Sequence, residues 1–261
     1  RIEILRKLYR KFESQKEELA QLETMEMGMP IKESRADMDA GLNYFNWYLE
    51  NAPQFVSPET THKDATFLHK VYYEPRGVAA VISPWNFPFS NFIWGATPNL
   101  VVGNTVVYKH SEDCIEFGRR IAKIVSEIDL PVGVFSAIHG GPVVGEQLVN
   151  QDVDLICFTG STKIGSKLYK IAAEKFIPVI LELGGSAPGI VFEDANVDAV
   201  IDSIYFGKFL NCGQVCDGLK RLLVQEGAFD TVIEKLKNRV ESKKVGDPLK
   251  EDTDIGPLVS K

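Results

Sequence analysis

The 261 residues predict an α/β protein: a doubly wound parallel sheet with the beginning of a second α/β unit after it. Three observations lead there. Short apolar runs rich in β-branched residues recur at 78–82, 105–108, 134–138, 154–159 and 177–181. The intervals between them, about 20 to 30 residues, are long enough for the crossover helix that two parallel strands require. The length, at roughly 150 residues per domain, and a composition of 44% hydrophobic and 25% charged residues suit one to two folded domains with a large core.

Taken in order, residues 2–26 place Leu5, Leu8, Phe12, Leu19 and Leu22 at helical spacing among charged residues and predict an amphipathic helix or helix pair. Gly28 and Pro30 punctuate it. A second helical pattern spans 34–49 (Met38, Leu42, Phe45, Leu49) and is expected to end before Asn51-Ala52-Pro53. Residues 54–73 have no helical period and read as extended strands or a hairpin. Within the sheet region, Ser111 is the expected N-cap of a helix carrying Ile115, Ile121, Ile124 and Val125, which Pro131 closes. Beyond it, 189–192 reads as a strand, a helix begins near Asn196, and the last helix, 229–240, sets Phe229, Val232, Ile233, Leu236 and Val240 on one face.

The charge balance excludes some functions. Asp and Glu total 36 against 29 Lys and Arg, a net charge of −7, and no basic cluster is dense enough to follow a nucleic-acid backbone. Apolar stretches of about five to eight residues fall far short of the ~20 that span a bilayer. The four cysteines, Cys114, Cys157, Cys212 and Cys216, are too few and irregular for a disulfide framework, so a reducing, cytoplasmic setting is expected.

Four segments hold candidate chemistry. Phe158-Thr159-Gly160-Ser161-Thr162-Lys163-Ile164-Gly165 follows an apolar run and opens a helical one. Glycines there allow close backbone approach, and a helix N-terminus offers N–H groups and partial positive charge to a phosphate. The string is neither G-x-G-x-x-G nor a P-loop, since Ser166-Lys167 reverses the required order, and a plain strand-to-helix turn fits it as well. Asn211-Cys212-Gly213-Gln214-Val215-Cys216 lacks the second pair a zinc site needs, and His62, His69, His110 and His139 have no ligand spacing, so no metal is expected. A cysteine on such a polar turn suits a nucleophile; Cys157, in an apolar run, reads as a small buried thiol. Leu181-Glu182-Leu183-Gly184-Gly185 sets a carboxylate in an apolar run, where it is either paired or kept for a task with a raised pKa. In Ser83-Pro84-Trp85-Asn86-Phe87-Pro88, prolines fix a turn that either ends a strand or holds the Asn86 amide rigidly toward developing negative charge.

In chain order, Pro84-Trp85-Asn86-Phe87-Pro88, Lys109-His110-Ser111-Glu112, the Phe158 to Gly165 string, Glu182-Leu183-Gly184-Gly185 and Gly213-Gln214-Val215-Cys216 resemble the motifs of the aldehyde dehydrogenase superfamily. Five motifs in order and spacing are far more specific than any one. The N-terminal helices and Glu74-Pro75-Arg76-Gly77-Val78 extend the resemblance over nearly the whole chain.

The resemblance implies a Rossmann-like cofactor domain and NAD(P)-dependent oxidation of a small aldehyde, with a lean toward semialdehydes, to a carboxylic acid. Cys216 is the implied nucleophile, passing through a thiohemiacetal and a thioester. The Asn86 amide and the Cys216 backbone N–H are the implied oxyanion donors, and Glu182 the base that activates water. Ile82, Ser83, Pro84 and Trp85 line the implied cofactor cleft; Lys109 and Glu112 meet the adenosine ribose; Gly160, Ser161 and Gly165 meet the pyrophosphate; Leu183 and Gly184 complete it. Glu112 favours NAD over NADP, because a carboxylate accepts a 2′-hydroxyl and repels a 2′-phosphate. Glu182 favours hydrolysis over transfer to coenzyme A. Residues 1–53 and 75–186 are then the dinucleotide-binding domain, 54–74 an extended oligomerisation arm for like chains, and 187–261 the first part of a catalytic domain.

His110 stands where proline is usual, Ser186 where lysine is usual, and Asp217-Gly218 where a small residue is usual. Asp217 is expected to raise the Cys216 pKa and disfavour anionic substrates unless Lys220 or Arg221 neutralises it. The family's Glu-x-Phe-Gly-Pro motif is absent from these residues, and a further segment is expected beyond Lys261. The rival expectation is a truncated, non-catalytic nucleotide-binding or assembly module of the same fold, exposing an unfinished apolar face.

Overall fold

A computed structural model describes residues 1–260. The N-terminal region is three helices, α1 (Ile2–Ser14), α2 (Lys16–Met27) and α3 (Ile31–Phe55). α1 buries the stripe Leu5, Leu8 and Phe12 that its periodicity marks. Gly28, at φ 84°, ends α2 in a left-handed cap, and a Cβ there would lie 2.1 Å from the Pro257 carbonyl oxygen. α3 corrects the expected stop before Asn51-Ala52-Pro53, because it runs on through Pro53 to Phe55. In its last turn the proline costs only one backbone bond, and the Ser57 hydroxyl donates to the Pro53 carbonyl. Residues 54–73 otherwise form the expected hairpin, β1 (Glu59–Lys63) antiparallel to β2 (Leu68–Val71), exposed along both strands.

The five apolar runs become one parallel sheet of order β5-β4-β3-β6-β7, made of β3 (Val78–Ile82), β4 (Thr105–Lys109), β5 (Phe135–Ile138), β6 (Leu155–Gly160) and β7 (Val179–Leu183). The crossovers are α4 (Pro88–Val102), α5 (Ile115–Ser126), α6 (Pro142–Asn150) and α7 (Thr162–Lys175). Alternate residues of each strand reach opposite cores. Ala79, Val81, Leu155 and Cys157 join a cluster with α1 to α5, whereas Ala80, Ile82, Ile156 and Phe158 join one with α6 and α7. In the first, Phe12 meets Phe89 and Phe92 edge-on at 5.4 and 5.7 Å, fastening α1 to α4. Burying each such aromatic contributes about 2–3 kcal/mol.

Ser111 does not cap α5. Its Oγ accepts from the Asp113 N–H (3.3 Å) and caps the single 3₁₀ turn Glu112–Cys114. The first N–H groups of α5, Glu116 and Phe117, donate instead to the Glu26 carboxylate of α2, both at 2.8 Å. That cap comes from 90 residues away, so local patterning has no access to it.

The second unit begins with β8 (Ala187–Val191), which pairs in parallel with β9 (Leu219–Val224). α8 (Val197–Phe209) and α9 (Glu226–Glu241) pack on it around Val191, Val197, Ala228 and Val232. The expected five-residue face of the last helix is only partly realised. Val232 is fully buried, but Phe229 and Ile233 each keep 49% of their surface exposed. Residues 244–259 then return to the N-terminal helices, where the Ile31 N–H donates to the Pro248 carbonyl (2.9 Å) and Lys32 pairs with Asp254 (2.8 Å).

Candidate active site at the carboxyl ends of β3, β6 and β7

The chain leaves β3 toward β4 and β5, then returns to build β6 and β7 on β3's other side. A crevice opens at such a switch point, beyond the carboxyl ends of the strands. Here it is a cleft of about 310 Å³ whose walls include nine of the residues singled out from the sequence: Pro84, Trp85 and Asn86 after β3, Gly160 at the end of β6 and Ser161 after it, Glu182 and Leu183 on β7 and Gly184 after it, and Cys216.

The groups of most chemical interest are tied together by backbone bonds. The Asn86 side-chain amide donates to the Gln214 carbonyl (3.1 Å), two residues before Cys216. Its Oδ1 accepts from Asn91 (3.3 Å), which also donates to the Phe87 carbonyl (2.9 Å), so the amide is oriented from both ends. The Cys216 carbonyl accepts from the Gly185 N–H (3.0 Å), which fixes the thiol's turn to the end of the strand carrying Glu182. A Cβ on Gly185 would fall 3.0 Å from that oxygen.

Cys216 is exposed, Cys212 half-buried, and Cys114 and Cys157 buried. Burial raises the pKa of the last three thiols, that of Cys157 despite the Asn99 amide beside its sulfur. The reading of Cys157 as a buried thiol holds. The expectation for Glu182 needs correction, because its carboxylate is exposed and has no ion-pair partner among the described residues. β7 is one of the two edge strands of the sheet, and its alternate residues Ile180 and Glu182 are exposed. Asp217 Oδ1 lies 4.0 Å from the Cys216 sulfur. Arg221 turns instead to the Ser186 carbonyl (3.3 Å), while Lys220 lines the cleft.

The remaining residues lie around the cleft. Ile82 closes β3 within the α6–α7 core, and the buried Ser83 donates its N–H to the Lys109 carbonyl (3.0 Å). Lys109 is buried and its ammonium pairs with Glu112 at 3.0 Å. Partial burial opposes the charge on Glu112, but its own backbone N–H and the Lys109 ammonium outweigh this and hold the carboxyl below its ordinary pKa. The Ser161 Oγ accepts from the Ile164 N–H (3.4 Å) as the N-cap of α7. Gly165 serves helix packing, since a Cβ there would strike Leu183 at 2.6 Å; a Cβ on Gly184 would meet nothing within 4 Å.

Two features escaped the sequence reading. The register Lys109↔Ile138 makes His110 and His139 the next cross-strand neighbours, 2.5 Å apart between Nε2 and Nδ1. His110 Nδ1 must carry the hydrogen given to the Ser111 carbonyl (2.7 Å), so its Nε2 accepts from His139. Burial holds the His110 pKa below its ordinary value despite the bond to the Ser111 carbonyl. The ring fits because position 118 is glycine; a Cβ there would fall 2.1 Å from it. The second feature is the left-handed backbone of Asn211, Cys212 and Gly213, at φ 51°, 56° and 83°.

The aldehyde dehydrogenase family model matches residues 1–261. The peroxisomal aminoaldehyde dehydrogenase 1 of Pisum sativum is 38% identical over 100% of this chain and 53% of its own. The betaine aldehyde dehydrogenase of Staphylococcus aureus, solved with NAD+, superposes with a TM-score of 0.94 at 33% identity, covering 99% of this chain and 52% of that one. An E. coli NADP-dependent enzyme gives 0.93 at 33% identity, over 98% and 54%. The chain spans about half the length of the curated relatives it matches. With a match along its full length and the parallel sheet shared with these structures, the chain belongs to the aldehyde dehydrogenase family.

Proposed function

We propose that this chain carries the cofactor site and the reactive cysteine of an NAD(P)-dependent enzyme that oxidises a small aldehyde to a carboxylic acid. One observation carries the proposal: the Asn86 amide, the exposed Cys216 and the Glu182 carboxylate line one cleft and are cross-tied through Gln214 and Gly185. The residues suit a dinucleotide. Glu112 offers acceptors and Lys109 donors to a ribose diol, the N-terminus of the 14-residue α7 offers N–H groups to a pyrophosphate, and open space at Gly184 admits the chain of the cofactor. NAD is favoured over NADP because Glu112 is held ionised.

When bound, the dinucleotide supplies a hydride acceptor. Every other task falls to the chain. The Cys216 sulfur attacks the carbonyl carbon to form a thiohemiacetal, and the oxygen that gains charge is met by the second N–H of the Asn86 amide and by the Cys216 backbone N–H. Loss of the aldehydic hydrogen leaves a thioester on Cys216. The exposed Glu182 takes a proton from the water that hydrolyses it, releasing acid and thiol. Semialdehydes are the favoured substrates where Lys220, which lines the same cleft, offsets Asp217 beside the sulfur; without that offset Asp217 disfavours their carboxylate.

Residues 1–53 and 75–186 are assigned to cofactor binding, the hairpin of 54–74 to pairing of like chains, and 187–261 to the first part of the catalytic unit. A second reading, a nucleotide-binding module that associates without turnover, draws on Ile190, Phe192 and Leu223, which are 54–62% exposed on β8 and β9 and just after β8. Incubation with NAD and short aldehydes, followed by absorbance of the reduced cofactor, separates the two. Turnover that Cys216→Ala abolishes supports the enzyme; cofactor binding without turnover supports the module.

A further inference from the structure

We propose that Glu33, on the first turn of α3, is a positioning residue for the oxyanion donors and acts through the left-handed turn at 211–213. This rests on the roles proposed above for Cys216 and Asn86. The two non-glycine residues of the turn, Asn211 and Cys212, sit in a backbone region that costs L-residues about 1–2 kcal/mol each and persists only where surrounding contacts impose it.

Side-chain and backbone bonds hold the turn in this conformation. The half-buried Glu33 carboxylate accepts the Asn211 N–H at 2.7 Å. Asn211 is completely buried, and its side-chain amide donates to the Asn86 carbonyl at 2.6 Å. The Asn211 carbonyl accepts from the Gln214 N–H at 2.9 Å, and the Gln214 carbonyl in turn holds the Asn86 amide at 3.1 Å. The Cys212 sulfur accepts the Gly256 N–H at 3.2 Å, pinning the middle of the turn.

Glu33 therefore stands at the start of an unbroken series of bonds. It passes through Asn211 to both the backbone and the side-chain amide of Asn86, and it ends two residues before Cys216. Without the acceptor, the Asn211 N–H is left unpaired in a buried site and the strained turn loses one of the contacts that hold it. Relaxation of the turn moves the Gln214 carbonyl, and with it both donors to the oxyanion. The sulfur stays accessible throughout. Glu33 touches neither substrate nor cofactor, so its effect is confined to steps that build charge on a carbonyl oxygen.

Two reactions of one sulfur separate that effect from general damage. With p-nitrophenyl acetate, the Cys216 thiolate adds to the ester carbonyl, a C–S bond forms, and p-nitrophenolate leaves after an oxyanion intermediate. With iodoacetamide the same thiolate displaces iodide, and no oxyanion forms. Each rate is read at Cys216 by peptide mass mapping of the 261-residue chain. Glu33→Leu is expected to slow acetylation about tenfold or more, as sub-ångström misplacement of reacting groups does, and to leave alkylation within about twofold. Glu33→Gln, which keeps an acceptor oxygen, restores acetylation to near the wild-type rate.

Asn211→Gly, which relieves the left-handed strain while removing the side-chain bonds to Asn86 and Gln214, also slows acetylation selectively. Unchanged acetylation in Glu33→Leu and Asn211→Gly overturns the positioning role. Equal slowing of both reactions, or a Gln variant as slow as Leu, overturns it too. Failure of wild-type Cys216 to be acetylated at all strikes the proposed function itself.

Discussion

The two parallel sheets of this chain stand in opposite conditions. The five-stranded sheet is covered on both faces, by α1 to α5 on one side and α6 and α7 on the other, and its central strands are buried along their length. The β8–β9 pair has helices on one face and leaves Ile190, Phe192 and Leu223 more than half exposed. Parallel strands are ordinarily buried on both faces. The difference teaches where stability resides: the five-stranded region contains its own core, whereas the second unit rests on four buried residues and on tethers to the first. The cleft sits at the junction, with Asn86 and Glu182 supplied by the first region and Cys216 by the second.

Core truncation should expose this asymmetry most strongly. Phe92, fully buried against Phe12, Tyr108 and Phe135, is expected to cost about 3–5 kcal/mol when replaced by Ala and to lower the main unfolding transition. Val232→Ala is expected to cost about 2 kcal/mol and to act on the second unit. Denaturant titration followed by hydrogen exchange would check both. A single transition shifted equally by the two would erase the distinction.

A smaller effect concerns pH within the first region. Asp37 caps the start of α4 through Ser90 (2.5 Å from Oγ), and burial pushes its carboxyl up to about 6. Glu23 beside it, fully buried, is raised further by burial and by Asp37. A carboxyl whose folded value is raised contributes stability that is complete below its unfolded value near 3.8 and lost as pH rises through the folded one. For Asp37 alone the loss between about pH 4 and pH 6 is on the order of 3 kcal/mol. Midpoints in urea should fall over that window, and Asp37→Asn should flatten the fall. A wild-type midpoint that climbs steadily from pH 4 to pH 7 would show the pair to be ionised when folded.

The least effect on stability is expected at the open face of the second unit. Leu223→Lys should change unfolding free energy by no more than about 0.5 kcal/mol while reducing self-association in light scattering. A loss of several kcal/mol would mean that Leu223 is covered in solution.

The same contrast governs what could be read from the amino acids. The five strands of the covered sheet were legible because their apolar runs and spacing are local signals. β9 was not, since Lys220-Arg221 interrupts its apolar pattern and its partner β8 lies 32 to 33 residues earlier in register. The end of α3 was misplaced because a last-turn proline looks like a stop. The α5 cap was missed because Glu26 belongs to another helix. In the cleft, the residue types of Cys216, Glu182 and Asn86 were evident. Their mutual bonds through Gln214 and Gly185, the His110–His139 pairing and the tie from Glu33 to Asn211 depend on tertiary approach. Glu182 shows the limit most plainly, because a carboxylate in an apolar string reads as buried until the sheet places it on an edge strand.

The decisive measurement is peptide mass mapping of the Glu182→Gln chain after incubation with NAD and a short aldehyde. Slowed hydrolysis should leave one acyl group per chain on Cys216, none on Cys114, Cys157 or Cys212, and an equal amount of reduced cofactor. Reduced cofactor formed while Cys216 stays unmodified, or formed equally well by Cys216→Ala, would contradict the role assigned to that thiol.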